Sequence, residues 1–249
     1  MDTPFSFVGI ADAYIDILSD TGERTGLELK GNCSEFIPKT DSERKELVAN
    51  GRSNFGQVLS SITIPKPMTA TIKFNQMDQA LFAAAFFGTN SALTQAEASV
   101  SNQAVTSIAD KWVELGKYMI STVVVKNEAG AVTYEEGTDY EVNPRLGMVK
   151  ALSTGTIAAG AALKVSYAHA AVSGTKMEAM TKSNVRIRVK LDGQNHADGR
   201  NFISEIYQMR LNPSNTFSFI GTEFAEATFE GVPEKAAANG KTMEHIWLS

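Results

Sequence analysis

This chain of 249 residues has little of what usually identifies a chemistry. Its single cysteine, Cys33, cannot form an intrachain disulfide, which indicates an intracellular folding environment. The three histidines, His169, His196 and His245, are scattered, so no His/Cys spacing suits zinc. The N-terminus lacks the basic start and apolar run of a signal peptide. The longest apolar run, residues 80–87, is far shorter than the roughly 20 residues that span a bilayer. We therefore expect neither secretion by that route nor a membrane partner.

Catalytic motifs are missing as well. No Walker or dinucleotide-binding glycine pattern follows a predicted strand, and no Gly-x-Ser-x-Gly occurs. Four acids cluster in a turn of a β-rich segment, where a solvated loop is favoured over a catalytic pair; they are Glu135, Glu136, Asp139 and Glu141. Residues 192–199 resemble a calcium loop only faintly and are interpreted as a hairpin turn. We expect no enzymatic activity, no metal and no cofactor.

Acidic residues outnumber basic ones, 28 to 23, so the net charge is −5 and the pI is about 5.3. This argues against a general nucleic-acid binder, although nucleic acid could pass such a protein without being held. Arg186, Arg188 and Lys190 form the one basic row, and no aromatic residue alternates with them for base stacking. A ladder against acidic rows, within or between subunits, is favoured over phosphate contact. The acidic rows are Asp12 with Asp16 and Glu226 with Glu230.

What the chain does contain is alternating apolar and polar residues, the pattern of half-buried strands. One helix is predicted at residues 76–87; it is capped by Asn75 or Asp78, ended by Gly88 and apolar on most faces. The predicted strands are residues 11–18, 27–37, 57–64, 68–74, 183–191, 201–211, 217–220 and 223–232, with a short apolar end at 243–248 that docks on the fold.

A different pattern fills the middle of the chain. Between residues 122 and 167, short β-branched or aromatic runs alternate with turn signals, which is typical of a small β-module. Residues 89–110 are rich in Ala, Ser, Thr, Asn and Gln and are interpreted as a loosely structured connection into it. The sequence therefore predicts a mainly β protein. Its core domain comprises residues 1–94 and 174–249, interrupted by a small β-domain at 95–173.

A long charged segment separates two predicted strands of the core domain. Residues 39–54 are polar, and a short helical turn fits residues 42–48. Loops of this length inside a compact domain are usually functional or disordered. The charged residues considered are Asp41, Glu43, Arg44, Lys45, Glu46 and Arg52.

Three parts of the chain together resemble the major tail tube proteins of long-tailed, non-contractile (siphovirus-type) bacteriophages. The first is the β-module, with Trp-Val-Glu-Leu at residues 112–115 and Gly-Thr-Asp-Tyr-Glu-Val at 137–142. The others are the helix at 78–88 after paired strands and the late strand at 223–231. The resemblance implies a β-sandwich or β-barrel core with one flanking helix and an inserted Ig-like domain that projects outward.

The resemblance also implies a structural role. Such subunits join edge to edge into homohexameric rings, and the rings stack into the tube that delivers the genome. The charged segment at 39–55 would be the ring-stacking loop, and the charged rows would lie between subunits or face the lumen. The implied partners are the chain itself, the tape measure, tail terminator and tail tip proteins, and double-stranded DNA in transit without specific binding. The implied location is the virion, after assembly in the host bacterial cytoplasm.

Two alternatives stay open. A tube subunit of a contractile tail or secretion apparatus would have a similar core, and a neighbouring sheath gene would distinguish it. An Ig-like capsid decoration or adhesin module would bind surface carbohydrate through exposed aromatic side chains. Tyr134 and Tyr140 are the candidates for that contact.

Overall fold

A computed structural model describes residues 5–212 and 217–248. The described chain is mainly β with one short helix, which confirms the predicted fold class. It divides into two compact units. The discontinuous unit comprises Met1–Asn90 and Met177–Ser249, and the inserted unit comprises Ser91–Lys176. The sequence predicted this inserted domain at residues 95–173.

The discontinuous unit contains the helix and a large sheet. Its elements before the insertion are β1 Gly9–Ile17, β2 Glu28–Leu29, β3 Cys33–Lys39, β4 Ser42–Val48, β5 Val58–Pro65, β6 Thr69–Phe74 and α1 Gln79–Ala85. The elements within or bordering the insertion are β7 Thr89–Gln95, β8 Ala98–Thr106, β9 Trp112–Glu114, β10 Ile120–Asn127, β11 Tyr140–Asn143, β12 Met148–Ala151, β13 Ala162–His169 and β14 Val172–Glu178. The chain ends with β15 Arg186–Asn195, β16 Asn201–Leu211, β17 Ala227–Pro233 and β18 Met243–Trp247.

The large sheet has eight strands in the order β2-β1-β15-β16-β17-β6-β3. The eighth, β18, shares one edge of β16 with β17: β18 pairs with residues 202–206 and β17 with residues 209–211. The predicted apolar chain end therefore docks as an antiparallel strand. β1 and β3 lie near opposite ends of this order, yet both line the same cleft. The sheet thus curls over its own core, but the described strands do not close into a barrel.

The core of this unit lies on the concave face of the sheet. Ile187, Val189 and Leu191 of β15 alternate inward, as predicted, and are nearly inaccessible to solvent. They join Ile15, Ile72, Phe74, Ile206, Met209, Phe229 and the buried side of α1 in one cluster. Side chains of an antiparallel strand alternate between faces, so the opposite face of the same strands carries the charged residues.

The helix is shorter than the sequence predicted. It covers Gln79–Ala85 rather than 76–87, because Asp78 caps it. The Asp78 carboxylate accepts a hydrogen bond from the amide of Leu81 at 2.8 Å, which satisfies one of the free N–H groups of the first turn. Leu81 and Ala84 are buried against the sheet.

Two predicted strands need correction. The strand predicted at 27–37, with a bulge or bend at Gly31, is divided there into β2 and β3, and Gly31 has a φ of 94°. A Cβ at this position would lie 2.2 Å from the carbonyl oxygen of Gln76, so the bend and the close approach both require glycine. The strand predicted at 217–220 is absent. Phe217 and Phe219 instead pack their rings against Phe82 and Phe86 of the helix region, with centroids 5.1 to 6.3 Å apart.

The connection predicted as loosely structured at 89–110 is also wrong, because it holds β7 and β8. β7 pairs with β14, so the strands that lead into and out of the insertion form a two-stranded ribbon. Neither β7 nor β8 buries one whole face, since most of their Ser, Thr, Asn and Gln side chains are exposed. The alternation that reveals a half-buried strand is therefore missing from the sequence.

The inserted unit has its own core between two three-stranded sheets, β10-β13-β8 and β11-β12-β9. Val125, Val165 and Tyr167 come from the first sheet, and Tyr140 and Val149 from the second. All five are almost fully buried. This unit therefore has the hydrophobic core that an independently folding domain requires.

Candidate assembly surfaces

The predicted ring-stacking segment is a β-hairpin and not a loop with a helical turn. β4 and β5 form a separate two-stranded sheet, paired from Ser42 opposite Pro65 to Val48 opposite Val58, with a register shift between Leu47 and Val48. All residues of both strands are exposed. The helical turn predicted over 42–48 is wrong, because this stretch is a strand paired along its full length. Glu43, Arg44, Lys45 and Glu46 lie on β4, while Asp41 precedes it and Arg52 lies in the tip.

The two faces of this hairpin differ in polarity. The register places Ile64 opposite Glu43 and Ile62 opposite Lys45, and Leu47 follows on the same face. These three apolar side chains are 40%, 59% and 61% exposed, respectively. An isolated hairpin is marginally stable in water, and an exposed apolar patch commonly marks a contact surface.

The opposite face of the hairpin is polar. Arg44 donates to the Glu46 carboxylate at 2.8 Å and to the Ser61 hydroxyl at 3.4 Å. Thr63 lies opposite Arg44 in the register. The charged residues singled out from the sequence are therefore divided between the two faces. The apolar residues were not singled out, although Ile62 and Ile64 alternate with Ser61 and Thr63 in the sequence.

Backbone hydrogen bonds close the hairpin at its base and at its tip. The Lys66 amide donates to the Asp41 carbonyl at 2.9 Å at the base. At the tip, the Ala49 amide donates to Gln57 at 2.8 Å and the Gly56 amide donates back to Ala49 at 3.0 Å. The hairpin is thus a defined arm on the discontinuous unit.

All three side chains of the basic row on β15 have acidic partners within the chain. Arg188 donates to Glu205 at 2.7 Å, and the Lys190 ammonium lies 3.7 Å from the same carboxylate. Arg186 donates to Glu234 at 3.0 Å. The ladder preferred from the sequence exists, but these contacts come from Glu205 and Glu234, which the sequence did not single out. Both become neighbours of β15 only through sheet pairing.

Glu234 shows the electrostatic consequence. Its partial burial works against ionisation, but hydrogen bonds from Gln208 at 2.7 Å and from Arg186 at 3.0 Å outweigh that effect. The pKa of Glu234 is therefore lowered from its ordinary value of 4.5. An ionised carboxylate here stabilises the folded unit.

The acidic residues predicted to pair with the basic row, Asp16, Glu226 and Glu230, form other contacts or pair with other residues in the sheet. Asp16 lies opposite Arg188 in the register, but its Oδ1 accepts hydrogen bonds from Thr25 and Gly26 at 2.8 to 3.1 Å. Asp16 therefore holds the loop after β1. Glu226 accepts from the Ser34 hydroxyl at 3.3 Å, and Glu230 is exposed on β17 opposite Thr71.

Asp12 lies opposite Asp192 in the pairing of β1 with β15. Both are exposed, and neither forms an ion pair with a residue in the described ranges. Beside the paired basic row, the sheet face thus carries two unpaired acidic side chains. The uncompensated charge at this end of the face is negative.

Within the acidic cluster of the inserted unit, Asp139 has a structural role. Hydrogen bonds from the Glu135 amide at 2.9 Å and from the Thr156 amide and hydroxyl at 2.8 Å lower the pKa of Asp139. Tyr140 is 3% exposed, and its hydroxyl donates to the Val123 carbonyl at 3.1 Å. Burial raises the pKa of Tyr140. Tyr134 is half-buried against the same core.

Residues 5–212 and 217–248 lack the features of a metal site and of a membrane-spanning helix. In those ranges, no three His, Cys, Asp or Glu side chains lie together in a way that could hold a metal ion. No helix there has the length and apolarity to cross a membrane.

Comparisons with known proteins gave two matches. Residues 5–241 match the model of a family described as protein of unknown function UCP028589. Over 128 residues, the chain is also 30% identical to the tail sheath protein of Burkholderia phage BcepMu. That alignment covers 47% of this chain and 24% of the sheath protein, so the match spans about a quarter of the relative's length.

Proposed function

We propose that this chain, which belongs to the family described as protein of unknown function UCP028589, is a structural protein of a bacteriophage tail. The similarity to a phage tail sheath protein supports this proposal. The mainly β fold supports it as well, because it matches the core architecture expected of a tail subunit. The protein's place is then the virion, after assembly in the bacterial cytoplasm.

At a finer level, we propose that copies of the chain assemble into stacked homohexameric rings that form a tail tube. The observation that carries self-assembly is the hairpin of β4 and β5, whose apolar face is uncovered in a single chain. Exposed apolar surface of this kind gains free energy when a second copy covers it. The hairpin then acts as the ring-stacking arm. The tape measure, tail terminator and tail tip proteins are further partners of the chain in the tail.

The charge distribution favours a conduit for DNA over a DNA-binding protein. The net charge is −5, and Glu205 and Glu234 pair with the basic row that could otherwise have held phosphates. Unpaired Asp12 and Asp192 repel a phosphate backbone. DNA can then pass the exposed sheet face without binding tightly.

A subunit of a contractile tail is the second candidate. The observation that favours it is the relative's name, since a sheath is the feature that separates contractile tails from the others. A tube subunit of a non-contractile tail and one of a contractile tail would share the proposed core. They would differ in whether a sheath protein surrounds the tube.

Negative-stain electron microscopy of the purified protein, over a range of salt and protein concentrations, tests the proposal. We expect rings or tubes, and co-purification with a sheath protein would favour the contractile tail. A protein that stays monomeric in every condition and is absent from virions by mass spectrometry would contradict the proposal.

A further inference from the structure

The tip of the β4–β5 hairpin carries an asparagine followed by a glycine. Asn50 and Gly51 lie between Val48, the last residue of β4, and the turn over residues 52–56. Both are exposed. Asparagine is one of the chemically labile residues of proteins, and a glycine has no side chain to hinder an approach by its own amide nitrogen. The dipeptide is therefore a place where the chain can react with itself.

The two groups that would react at this dipeptide are free of hydrogen bonds. The side-chain amide of Asn50 has no hydrogen-bond partner among residues 5–212 and 217–248. The Gly51 amide donates to no acceptor in the same ranges, although the Gly51 carbonyl accepts from the Asn54 amide at 3.3 Å. A hydrogen-bonded N–H group must give up its bond before its nitrogen can attack, and here no bond has to be given up.

The second Asn–Gly pair of the chain is held differently. The Asn239 side-chain oxygen accepts a hydrogen bond from the Lys241 amide at 3.0 Å. The Gly240 amide donates to the Ala236 carbonyl at 2.8 Å. Both Asn–Gly pairs are exposed, so exposure does not distinguish them. The hydrogen bonds do, because they fix the Asn239 side chain and keep the proton on the Gly240 nitrogen.

We propose that Asn50 is a site of spontaneous deamidation. The Gly51 nitrogen loses its proton to solvent hydroxide and attacks Cγ of Asn50, an intramolecular step that proximity favours. The bond from Cγ to Nδ2 then breaks, and Nδ2 takes a proton from water and leaves as ammonia. Water adds to either carbonyl of the resulting cyclic succinimide and breaks its bond to nitrogen. The products are aspartate or, where the main chain now runs through Cγ, isoaspartate.

The reaction changes the charge of the hairpin tip. Arg52 is the only charged residue among residues 49–57, and it forms no ion pair within the described ranges. A carboxylate at position 50 offsets that charge and makes the net charge of the chain more negative than −5. Isoaspartate also adds a carbon atom to the main chain next to Ala49, whose backbone hydrogen bonds close the tip. The reaction needs only a free subunit, so the inference does not depend on the assembly proposed above.

Peptide mapping by mass spectrometry tests the site. The full-length purified protein is incubated at mildly alkaline pH, under conditions in which it stays folded, and conversion at each asparagine is followed over time. We expect conversion at Asn50 to be about tenfold faster than at Asn239, because hydrogen bonds must be given up only at the second site. The rate at Asn50 should rise with pH, since hydroxide removes the amide proton.

Two variants and one solvent control accompany this measurement. Asn50→Gln keeps a side-chain amide but adds a methylene group that disfavours ring closure, so it should prevent conversion at this position and leave Asn239 unchanged. Gly51→Ala should slow conversion at Asn50, because the added Cβ hinders the attack. That Cβ would lie 2.4 Å from Oδ1 of Asn54, the end of a side chain that can move. In guanidinium chloride the unfolded chain should convert at Asn50 and Asn239 at similar rates.

The outcomes decide the inference independently of the proposed function. Equal rates at the two sites of the folded protein, or faster conversion at Asn239, would overturn it. A preference for Asn50 that persists in guanidinium chloride would also overturn it, because folded-state hydrogen bonds could not be the cause. Conversion at Asn50 that Gly51→Ala does not slow would exclude the Gly51 nitrogen as the attacking group. Protein that never forms rings would remove the proposed function and leave the modification site standing.

Discussion

Glu205 is the side chain on which the charge balance of the sheet face depends most. Its carboxylate is 8% exposed and lies between Arg188, 14% exposed, and Lys190. A buried ion pair adds little net stability, because desolvation offsets the attraction. Removing one partner is different, because the remaining charge stays buried without compensation.

We therefore predict that Glu205→Gln lowers the free energy of unfolding of the discontinuous unit by about 3 kcal/mol, as for a broken buried pair. Asp198→Asn is the control, because Asp198 pairs with Arg200 at a more exposed site, and it should cost less than about 1 kcal/mol. Urea unfolding followed by circular dichroism measures both. Equal losses would mean that burial of the Glu205 pair has no energetic role.

The lowered pKa of Glu234 predicts a pH dependence. Its ionised form stabilises the folded state fully above the ordinary pKa of 4.5, and this contribution is lost as the pH falls through the lower, folded-state pKa. Glu234→Gln should therefore be less stable than the wild type at neutral pH, and the difference should shrink as the pH falls below 4.5.

The measurement is the free energy of unfolding from urea titrations at several pH values. Glu23→Gln is a control in the same unit, because Glu23 makes no side-chain ion pair within the described ranges. A Glu234→Gln deficit that stays constant from neutral to acidic pH would exclude an ionic role for Glu234.

The hairpin of β4 and β5 is the element that the sequence revealed least well. β4 is dominated by charged residues, and a charged strand without alternation reads as a loop. β5 has the β-branched residues of a strand, but the pairing predicted for it with residues 68–74 is wrong. β5 pairs with β4, and the strand at 69–74, β6, pairs with β3 and β17. The pairing of Glu43 with Ile64 and Lys45 with Ile62 puts both isoleucines on one face, where Leu47 joins them.

We predict that Ile62→Asp combined with Ile64→Asp abolishes self-association and leaves the thermal unfolding of the monomer nearly unchanged. Both side chains are exposed, so the folded monomer loses little when they become charged. Ser61→Asp with Thr63→Asp puts the same charges on the opposite face and should retain association. Sedimentation velocity and microscopy report the outcome; rings of normal appearance from the Ile62 and Ile64 variant would remove the hairpin's assigned role.

For the molecule as a whole, the organising feature is an insertion that leaves and re-enters the larger unit at one place. The chain leaves after Asn90 and returns at Met177. The Ser91 hydroxyl lies 3.5 Å from the Lys176 carbonyl oxygen, so the two ends of the insertion are adjacent. Each unit also has a separate hydrophobic core.

We predict that replacing residues 91–176 by a short Gly-Ser linker leaves the discontinuous unit folded and able to self-associate. Linking adjacent chain ends costs little loop entropy, and no core residue of this unit is removed. Circular dichroism and calorimetry test folding, and microscopy tests assembly. The excised segment 91–176 should unfold cooperatively by itself; failure of either part to fold would show that the cores depend on each other.

The sequence sufficed where one strand face is fully buried. Ile187, Val189 and Leu191 could be placed inward from their spacing, and Asp78 was one of two predicted helix caps. The sequence pattern failed for β7 and β8, because most of their side chains are exposed and apolar and polar residues do not alternate. It also failed at 217–220, where the phenylalanine rings pack on the helix region and no strand forms. The charged residues of the hairpin were named from the sequence, but its apolar residues Ile62 and Ile64 were not, and neither were Glu205 and Glu234, the partners of the basic row.

Composition and periodicity were enough to establish a mainly β chain with one buried helix, an interrupted core domain and no recognisable catalytic motif, because these depend on local patterns. Tertiary structure alone decided which charges meet. Glu205 and Glu234 pair with the basic row because sheet pairing and chain folding bring distant segments together. The same holds for the uncovered apolar face of the hairpin, because exposure depends on what the rest of the chain does and does not cover.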